Sequence, residues 1–199
     1  MIKAIIFDIG GVLVKKIHGK LLEELISKYN LDKNELENFE PELFGELMIG
    51  KISEKEYFSK IIKKFNLPIS ESELHERAKE LTQSIPETWE IVKKLKGKYV
   101  LAILSDMNKE WAKIREEKFR LSENFDYIVY SYEIGVQKPN TKIYKYLLNL
   151  MKIPANECTF IDDKQKNVDI AKELGMKVIV FENAEKLRAE LADLGVKVQ

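Results

Sequence analysis

The chain has 199 residues, of which 33 are basic and 33 acidic, so its formal net charge is zero. This length suffices for one medium-sized domain, or for a core with a small insertion, and it argues against a disordered chain. The balanced charge argues against nucleic acid or an anionic membrane surface as a partner, because neither would be attracted electrostatically.

Two features of the sequence predict a cytoplasmic protein. The single Cys158 cannot form an internal disulfide, and its place in an apolar segment predicts a buried packing thiol. At the N-terminus, Asp8 and the glycines after it interrupt the apolar run that a signal peptide would need. In addition, no segment reaches the roughly 18 apolar residues of a membrane span.

Ala4 to Phe7 form an apolar run without alternation, which is typical of a strand buried on both faces of a parallel sheet. The run stops at Asp8, and Gly10-Gly11 then predicts an abrupt turn. In open α/β sheets, ligands bind beyond the carboxyl ends of the strands, so Asp8 is well placed for chemistry. A single aspartate at this position is also typical of a cap or turn.

The same arrangement recurs further along the chain. Apolar runs end at Ser105-Asp106 and at Asp162-Asp163, and the predicted strand Tyr127 to Tyr130 is followed by a loop that carries Lys138. If these strands are parallel neighbours, their polar residues converge at one edge of the sheet. The prediction is an acidic cluster with a lysine and a hydroxyl beside it.

The segment after Val14 has a helical pattern instead. Leu21 to Tyr29 and Tyr57 to Phe65 each carry a one-sided apolar stripe. Ser53 with Glu56 and Ser70 with Glu73 have the spacing of a capping box, and Asp32 with Glu35 is a looser version. We therefore predict a small helical cap at residues 16–84, inserted into a core of residues 1–15 and 85–199, with His18 and His75 as surface or packing residues.

From Pro86 onward the chain alternates between the two patterns. Helices are predicted from Pro86 to about Leu95 and near Lys109–Phe119, Asn140–Met151 and Lys166–Leu174, and strands near Tyr127–Tyr130, Cys158–Ile161 and Val178–Phe181. Alternation with short connections implies right-handed crossovers and a parallel sheet. The predicted fold class is α/β, a Rossmann-like core whose helical insertion lies over the strand ends as a lid.

Four segments resemble the motifs of the haloacid dehalogenase superfamily of aspartate-nucleophile hydrolases, in order and in spacing. They are Phe7-Asp8-Ile-Gly-Gly-Val-Leu-Val14, Leu104-Ser105-Asp106, Lys138-Pro139, and Ile161-Asp162-Asp163 through Asn167. The resemblance covers nearly the whole chain and is strongest to the helical-capped phosphatase branch that includes glucose-1-phosphate phosphatase. It implies a phosphatase of small phosphorylated metabolites such as sugar phosphates.

The resemblance also implies the role of each residue. Asp8 attacks phosphorus and forms an aspartyl-phosphate that water hydrolyses, while Lys138 offsets the negative charge. Ser105, Asp106, Gly11 and Lys138 surround the substrate phosphate. Crowded carboxylates favour a hard cation, so Mg²⁺ is the expected cofactor. Its ligands are Asp8, Asp163 and the carbonyl of Gly10, with Asp162 as a supporting or alternative ligand.

One residue departs from the family pattern, because Gly10 stands where family phosphatases usually carry a second, acid-base aspartate. Two alternatives therefore stay open. A 2-haloacid dehalogenase would use the same nucleophile, but that pattern lacks the paired acids and usually has an arginine after the first strand. A non-catalytic phosphate-binding or regulatory module would tolerate the loss of the acid. The sequence leaves the physiological substrate and the oligomeric state open.

Overall fold

The computed structural model describes residues 1–198; Gln199, which the predicted core range includes, lies outside the described residues. Within residues 1–198, five strands form one parallel sheet: β1 (Ala4–Phe7), β2 (Val100–Ser105), β3 (Tyr127–Tyr130), β4 (Cys158–Asp162) and β5 (Lys177–Val180). Their order is β3-β2-β1-β4-β5, with every neighbouring pair parallel. The parallel, Rossmann-like α/β fold predicted from the sequence is confirmed.

β1 lies at the centre of the sheet, and its position explains its composition. All four of its residues are buried, because β2 and β4 flank it and helices cover both faces. Phe7 is level with Ile103 of β2 and with Ile161 of β4. The strands therefore end side by side, and the residues that follow them share one edge.

Eleven helices surround the sheet within the described residues. They are α1 (His18–Tyr29), α2 (Lys33–Met48), α3 (Glu54–Phe65), α4 (Glu71–Leu81), α5 (Pro86–Leu95), α6 (Lys109–Phe119), α7 (Leu121–Asn124), α8 (Ser131–Ile134), α9 (Thr141–Met151), α10 (Gln165–Glu173) and α11 (Ala184–Asp193). α10 and β5 each begin one residue earlier than predicted. None of α7, α8 and α11 was predicted, although Asn183 caps α11 by accepting a hydrogen bond from the Lys186 amide at 2.9 Å.

α1 to α4 all lie in the inserted segment. The chain leaves and re-enters the core at adjacent points, since Val14 pairs with Ser84 and the Ile85 amide donates to the Leu13 carbonyl at 2.8 Å. We propose on this basis that residues 16–84 form the cap domain. Its buried apolar side chains belong to the same continuous cluster as one face of the sheet. The insertion is therefore packed against the core.

Three other expectations can be compared with the structure. Cys158 is free and buried, as its apolar neighbours predict. Ser53 and Ser70 both form complete capping boxes, and Asp32 accepts a hydrogen bond from the Glu35 amide at 3.0 Å. Among residues 1–198, no helix combines the length and the apolar character needed to span a bilayer.

The capping box of α4 generates a stability prediction. The Ser70 hydroxyl accepts a hydrogen bond from the Glu73 amide at 3.3 Å and donates one to the Glu73 carboxylate at 2.7 Å. We expect Ser70→Ala to lower the free energy of unfolding by about 1 kcal/mol, because a helix amide loses its partner. Urea denaturation measures this, with Ser72→Ala, an exposed position inside the same helix, as control. Equal effects of the two substitutions would contradict the capping role.

Candidate active site

A buried lysine links two carboxylates at the edge of the sheet. The Lys138 ammonium donates to Asp8 Oδ1 at 2.9 Å, to Asp162 Oδ2 at 2.6 Å and to the Leu104 carbonyl at 3.0 Å. Burial by itself lowers the pKa of Lys138, but the charges of Asp8 and Asp162 outweigh that effect and raise it above its ordinary value. The lysine is therefore charged at neutral pH, and the three residues form one hydrogen-bonded unit.

Asp162 has hydrogen-bond partners on both of its oxygens. Besides Lys138, it accepts from the Lys164 amide at 2.8 Å and from the Asn167 side-chain amide at 3.0 Å. Burial nevertheless raises the pKa of Asp162 above its ordinary value, against the effect of Lys138. α10 begins after Lys164 with no side-chain cap, so neither Asp162 nor Asp163 caps it.

Asp163 differs from Asp162 in having an oxygen without a partner. Its Oδ2 forms an ion pair with Lys16, whereas its Oδ1 is buried and makes no hydrogen bond within the described residues. One oxygen each from Asp8, Asp162 and Asp163 lies within 4.8 Å of the others. A cation held there would satisfy the orphaned oxygen and reduce the repulsion between the carboxylates. The cluster therefore fits a metal site.

The two glycines after Asp8 have different conformations. Gly11 has a φ of +90°, and a Cβ there would lie 2.7 Å from Asp163 Oδ2. Its amide already donates to the Val14 carbonyl at 2.7 Å. The absence of a side chain at Gly11 therefore leaves room for Asp163, and the contact of Gly11 with phosphate stays a prediction. Gly10 avoids positive φ, and a Cβ there would meet no atom within 4 Å.

Ser105 and Asp106 also have separate surroundings. Ser105 is buried at the end of β2, and its hydroxyl makes no hydrogen bond to any described residue. It does not cap α6, because Asn108 does so by accepting from the Trp111 amide at 2.8 Å. Asp106 accepts from the Lys138 backbone amide at 2.9 Å. Its carboxylate therefore holds the lysine loop in place, and the contact of Asp106 with phosphate stays a prediction.

A cavity of about 200 Å³ opens beside Asp8, Ser105 and Lys138. Its walls include residues of the insertion, of the turn before α6 and of α6 itself: His18, Phe44, Met48, Met107, Trp111 and Arg115. The His18 ring stacks on Phe44 with 3.7 Å between centroids, and its Nε2 lies 2.8 Å from Glu40 Oε1. His18 therefore packs, as expected, and also faces the site, which the sequence pattern did not indicate.

Glu54 of the insertion has a partner on each carboxylate oxygen next to this cavity, and one of the two partners belongs to α6. The Trp111 indole donates to Glu54 Oε1 at 2.6 Å, and His75 Nδ1 lies 2.5 Å from Glu54 Oε2. Burial raises the pKa of Glu54, against the opposing effect of His75. Arg115 is also buried on this helix. The sequence could have indicated Arg115, because it lies four positions after Trp111 and therefore on the same, buried face of the predicted helix.

The Lys138 cluster generates a prediction about stability and pH. Lys138→Met leaves two buried carboxylates without their cation, so the free energy of unfolding should fall by about 3–5 kcal/mol in the presence of chelator. The loss should shrink as pH falls, because Asp162, whose pKa is already raised above 3.8, then takes up a proton and the repulsion ends. Urea denaturation across a pH series measures both effects.

Lys142→Met, at an exposed position nearby, is the matched control and should change the free energy of unfolding by about 0.5 kcal/mol or less. A loss in Lys138→Met that is independent of pH would contradict this account of the cluster.

Several known proteins are similar to this chain in sequence. Flavin mononucleotide hydrolase 1 of Arabidopsis thaliana is 36% identical over 88 residues, which cover 44% of this chain and 36% of that protein. D-ribitol-5-phosphate phosphatase of Bacteroides thetaiotaomicron is 26% identical over 200 residues, covering 96% of this chain and 97% of that protein. The match spans well under two thirds of some relatives, such as 13% of mouse bifunctional epoxide hydrolase 2.

Solved structures share the fold along most of the chain. A haloacid dehalogenase (HAD) family enzyme from B. thetaiotaomicron, in complex with magnesium and inorganic phosphate, has a TM-score of 0.80 at 24% identity and covers 92% of this chain and 96% of its own. An L-2-haloacid dehalogenase from Xanthobacter autotrophicus has a TM-score of 0.66 at 19% identity, covering 99% and 85%. A family model described as haloacid dehalogenase-like hydrolase matches residues 5–181. The chain therefore belongs to the haloacid dehalogenase-like hydrolase family.

Proposed function

We propose that the protein is a Mg²⁺-dependent phosphatase of small phosphorylated metabolites that acts through an aspartyl-phosphate on Asp8. The observation that carries the proposal is the position of Asp8 between a bonded lysine and a second carboxylate with a free oxygen. Lys138 bonds one oxygen of the Asp8 carboxylate, and Asp163 beside it has a buried oxygen with no partner. The names of the relatives, a D-ribitol-5-phosphate phosphatase among them, support phosphate esters as the substrate class.

Among the three clustered carboxylates, Asp8 and Asp163 are the favoured protein ligands of Mg²⁺, and the Gly10 carbonyl is the further ligand that the family resemblance implies. Asp163 is preferred to Asp162 because its Oδ1 is unpartnered, whereas both Asp162 oxygens already accept hydrogen bonds. When bound, Mg²⁺ supplies positive charge that neutralises the carboxylates and the phosphoryl oxygens. Asp162 then acts as a positioning residue that orients Lys138.

In this proposal each polar residue at the strand ends has a separate role in the reaction. Ser105 offers its free hydroxyl to a phosphoryl oxygen, and Lys138 offsets the charge that accumulates as Asp8 approaches. The Asp8 oxygen that Lys138 does not bond attacks phosphorus, and the bond between phosphorus and the ester oxygen breaks. Water then attacks the aspartyl-phosphate, which releases inorganic phosphate and restores the Asp8 carboxylate.

The departing ester oxygen needs a proton, and Gly10 supplies none. General acid catalysis contributes about 10²- to 10⁴-fold, so its absence should matter most for poor leaving groups. Of the described residues that line the cavity, His18 has the side chain best suited to donate one. Its Nε2 is oriented by the buried Glu40 carboxylate, and its Nδ1 has no hydrogen-bond partner within residues 1–198.

Neither alternative function explains the acidic pair as well. A dehalogenase expels halide without a metal, so an unpartnered Asp163 oxygen near the nucleophile would only add repulsion. A non-catalytic module would not need a carboxylate held against a buried lysine at the end of the central strand. The phosphatase proposal uses Asp8, Lys138 and Asp163 together.

The nucleophile and the metal generate the first test of this proposal. The wild-type protein should hydrolyse p-nitrophenyl phosphate with Mg²⁺ and lose this activity in excess chelator. Asp8→Asn should lower kcat by at least about 10³-fold, because an amide cannot form the acyl-phosphate. Asp169→Asn, an exposed change on α10, is the control for general effects. Undiminished activity in chelator, or substantial turnover by a folded Asp8→Asn variant, would contradict the mechanism.

Gly10 generates a second test, which the backbone permits because a Cβ there meets no neighbour. Across phosphate esters with graded leaving groups, wild-type kcat/KM should depend strongly on leaving-group acidity. Gly10→Asp should raise kcat/KM for alkyl phosphates by about 10²-fold, and for aryl phosphates far less, because it adds a general acid. Mg²⁺ affinity must be measured in parallel. If wild-type kcat/KM did not depend on leaving-group acidity, or depended on it equally in Gly10→Asp, another group would already donate the proton. His18 is the first candidate for that group.

A further inference from the structure

Arg115 is a charged side chain inside the wall of the cavity, yet it has no acidic partner. Its exposed fraction is 3%, and no Asp or Glu oxygen in residues 1–198 lies within 4.0 Å of its guanidinium. Nη1 donates to the Trp111 carbonyl at 3.2 Å. Nε is buried with no hydrogen-bond partner in the described chain. The guanidinium therefore keeps unused donors beside the site.

The fold itself does not account for this charge. Burial lowers the pKa of Arg115 to about 10, with Tyr130 and Asp8 acting in the opposite direction, so the guanidinium remains charged at neutral pH. A buried cation without a counter-ion is costly, and an apolar side chain would fill the same space without that cost. The face of Trp111, 5.8 Å away, offers only a weak cation–π contact. An anion from outside the chain would supply the missing partner.

Two lysines in the cavity wall, Lys138 and Lys16, already have acidic partners, which distinguishes them from Arg115. Lys138 is bonded to Asp8 and Asp162, and Lys16 is paired with Asp163. Arg115 lies on α6, whereas the residues assigned to the transferring phosphoryl group lie at and after the strand ends. The cavity of about 200 Å³ is smaller than a typical drug-sized pocket. A compact ligand could therefore reach both Asp8 and Arg115.

We propose that Arg115 binds a second anionic group of the substrate, so that the preferred substrates are small phosphate esters that also carry a carboxylate or a second phosphate. The planar guanidinium suits both groups, because each accepts two parallel hydrogen bonds. The inference rests on the proposed phosphatase function and narrows its substrate class.

The first experiment uses the wild-type protein with Mg²⁺ and measures inhibition of p-nitrophenyl phosphate hydrolysis. The inhibitors are the phosphate ester of 3-hydroxypropanoic acid, 3-hydroxypropyl phosphate, and propane-1,3-diyl bisphosphate, which differ only at the far end. An anionic end should lower the inhibition constant about tenfold or more relative to the hydroxyl. Comparison of the carboxylate and the bisphosphate then identifies which anion the site prefers.

Each result in the wild-type protein has a distinct meaning. Absence of p-nitrophenyl phosphate hydrolysis would reject the phosphatase function itself. Hydrolysis with equal inhibition constants for the three esters, or with no inhibition by any of them, would reject only the role of Arg115. A preference for an anionic end supports it.

The second experiment repeats these measurements in variants of α6. Arg115→Gln should remove the preference for the anionic end. Arg115→Lys should keep part of it, because the ammonium retains the charge but lacks the paired, parallel N–H donors of the guanidinium. Lys113→Gln loses the same charge from an exposed position on the same helix, and should keep the full preference. If Arg115→Gln fails to fold, the ratios of the inhibition constants in Arg115→Lys and in the wild-type protein still test the role of Arg115. The proposal would be overturned if folded Arg115→Gln kept the wild-type ratios of inhibition constants, or if it bound all three esters more weakly by the same factor.

Discussion

The charge of Lys138 is the constraint on which the rest of the site depends. Two carboxylates buried within reach of each other repel, and neither could remain ionised there without a cation. Lys138 bonds both of them and has a side-chain exposure of 1%. The Asp106 carboxylate holds the backbone of the same residue, and Asn167 holds Asp162. The strand ends, the lysine loop and the start of α10 are thus positioned by one set of charge-assisted hydrogen bonds.

A second set of contacts joins the helical insertion to this edge. Phe44 and His18 reach the cavity from the insertion, and Trp111 meets them from α6. Glu54 ties α3 to α6 through the Trp111 indole. These contacts come from the insertion and from α6, whereas Asp8, Lys138 and Asp162 lie at or after the strand ends. Under the proposed function, the strand ends carry phosphoryl transfer, and the insertion and α6 form the part of the cavity wall that selects the substrate.

Adjacent glycines illustrate how local backbone geometry separates two roles. Gly11 has positive φ and lies against Asp163, so a side chain there would displace the proposed metal ligand. Gly10 has neither constraint, and its missing carboxylate is a chemical difference from the family pattern without a steric cause. Gly10 distinguishes this site from the family pattern described above, and Arg115 has no acidic partner within residues 1–198.

The fold class and the polar residues at the strand ends could be predicted from the order of the amino acids alone. Uninterrupted apolar runs such as Ala4–Phe7 are typical of buried parallel strands, and Ser70 with Glu73 marks a helix start through local hydrogen bonds. Only the tertiary structure decided which oxygen of Asp163 lacks a partner, that Asp106 holds the Lys138 loop, and that Arg115 faces the cavity without a counter-ion. Those properties depend on contacts between segments far apart in the chain, and a periodic pattern carries no information about such distances.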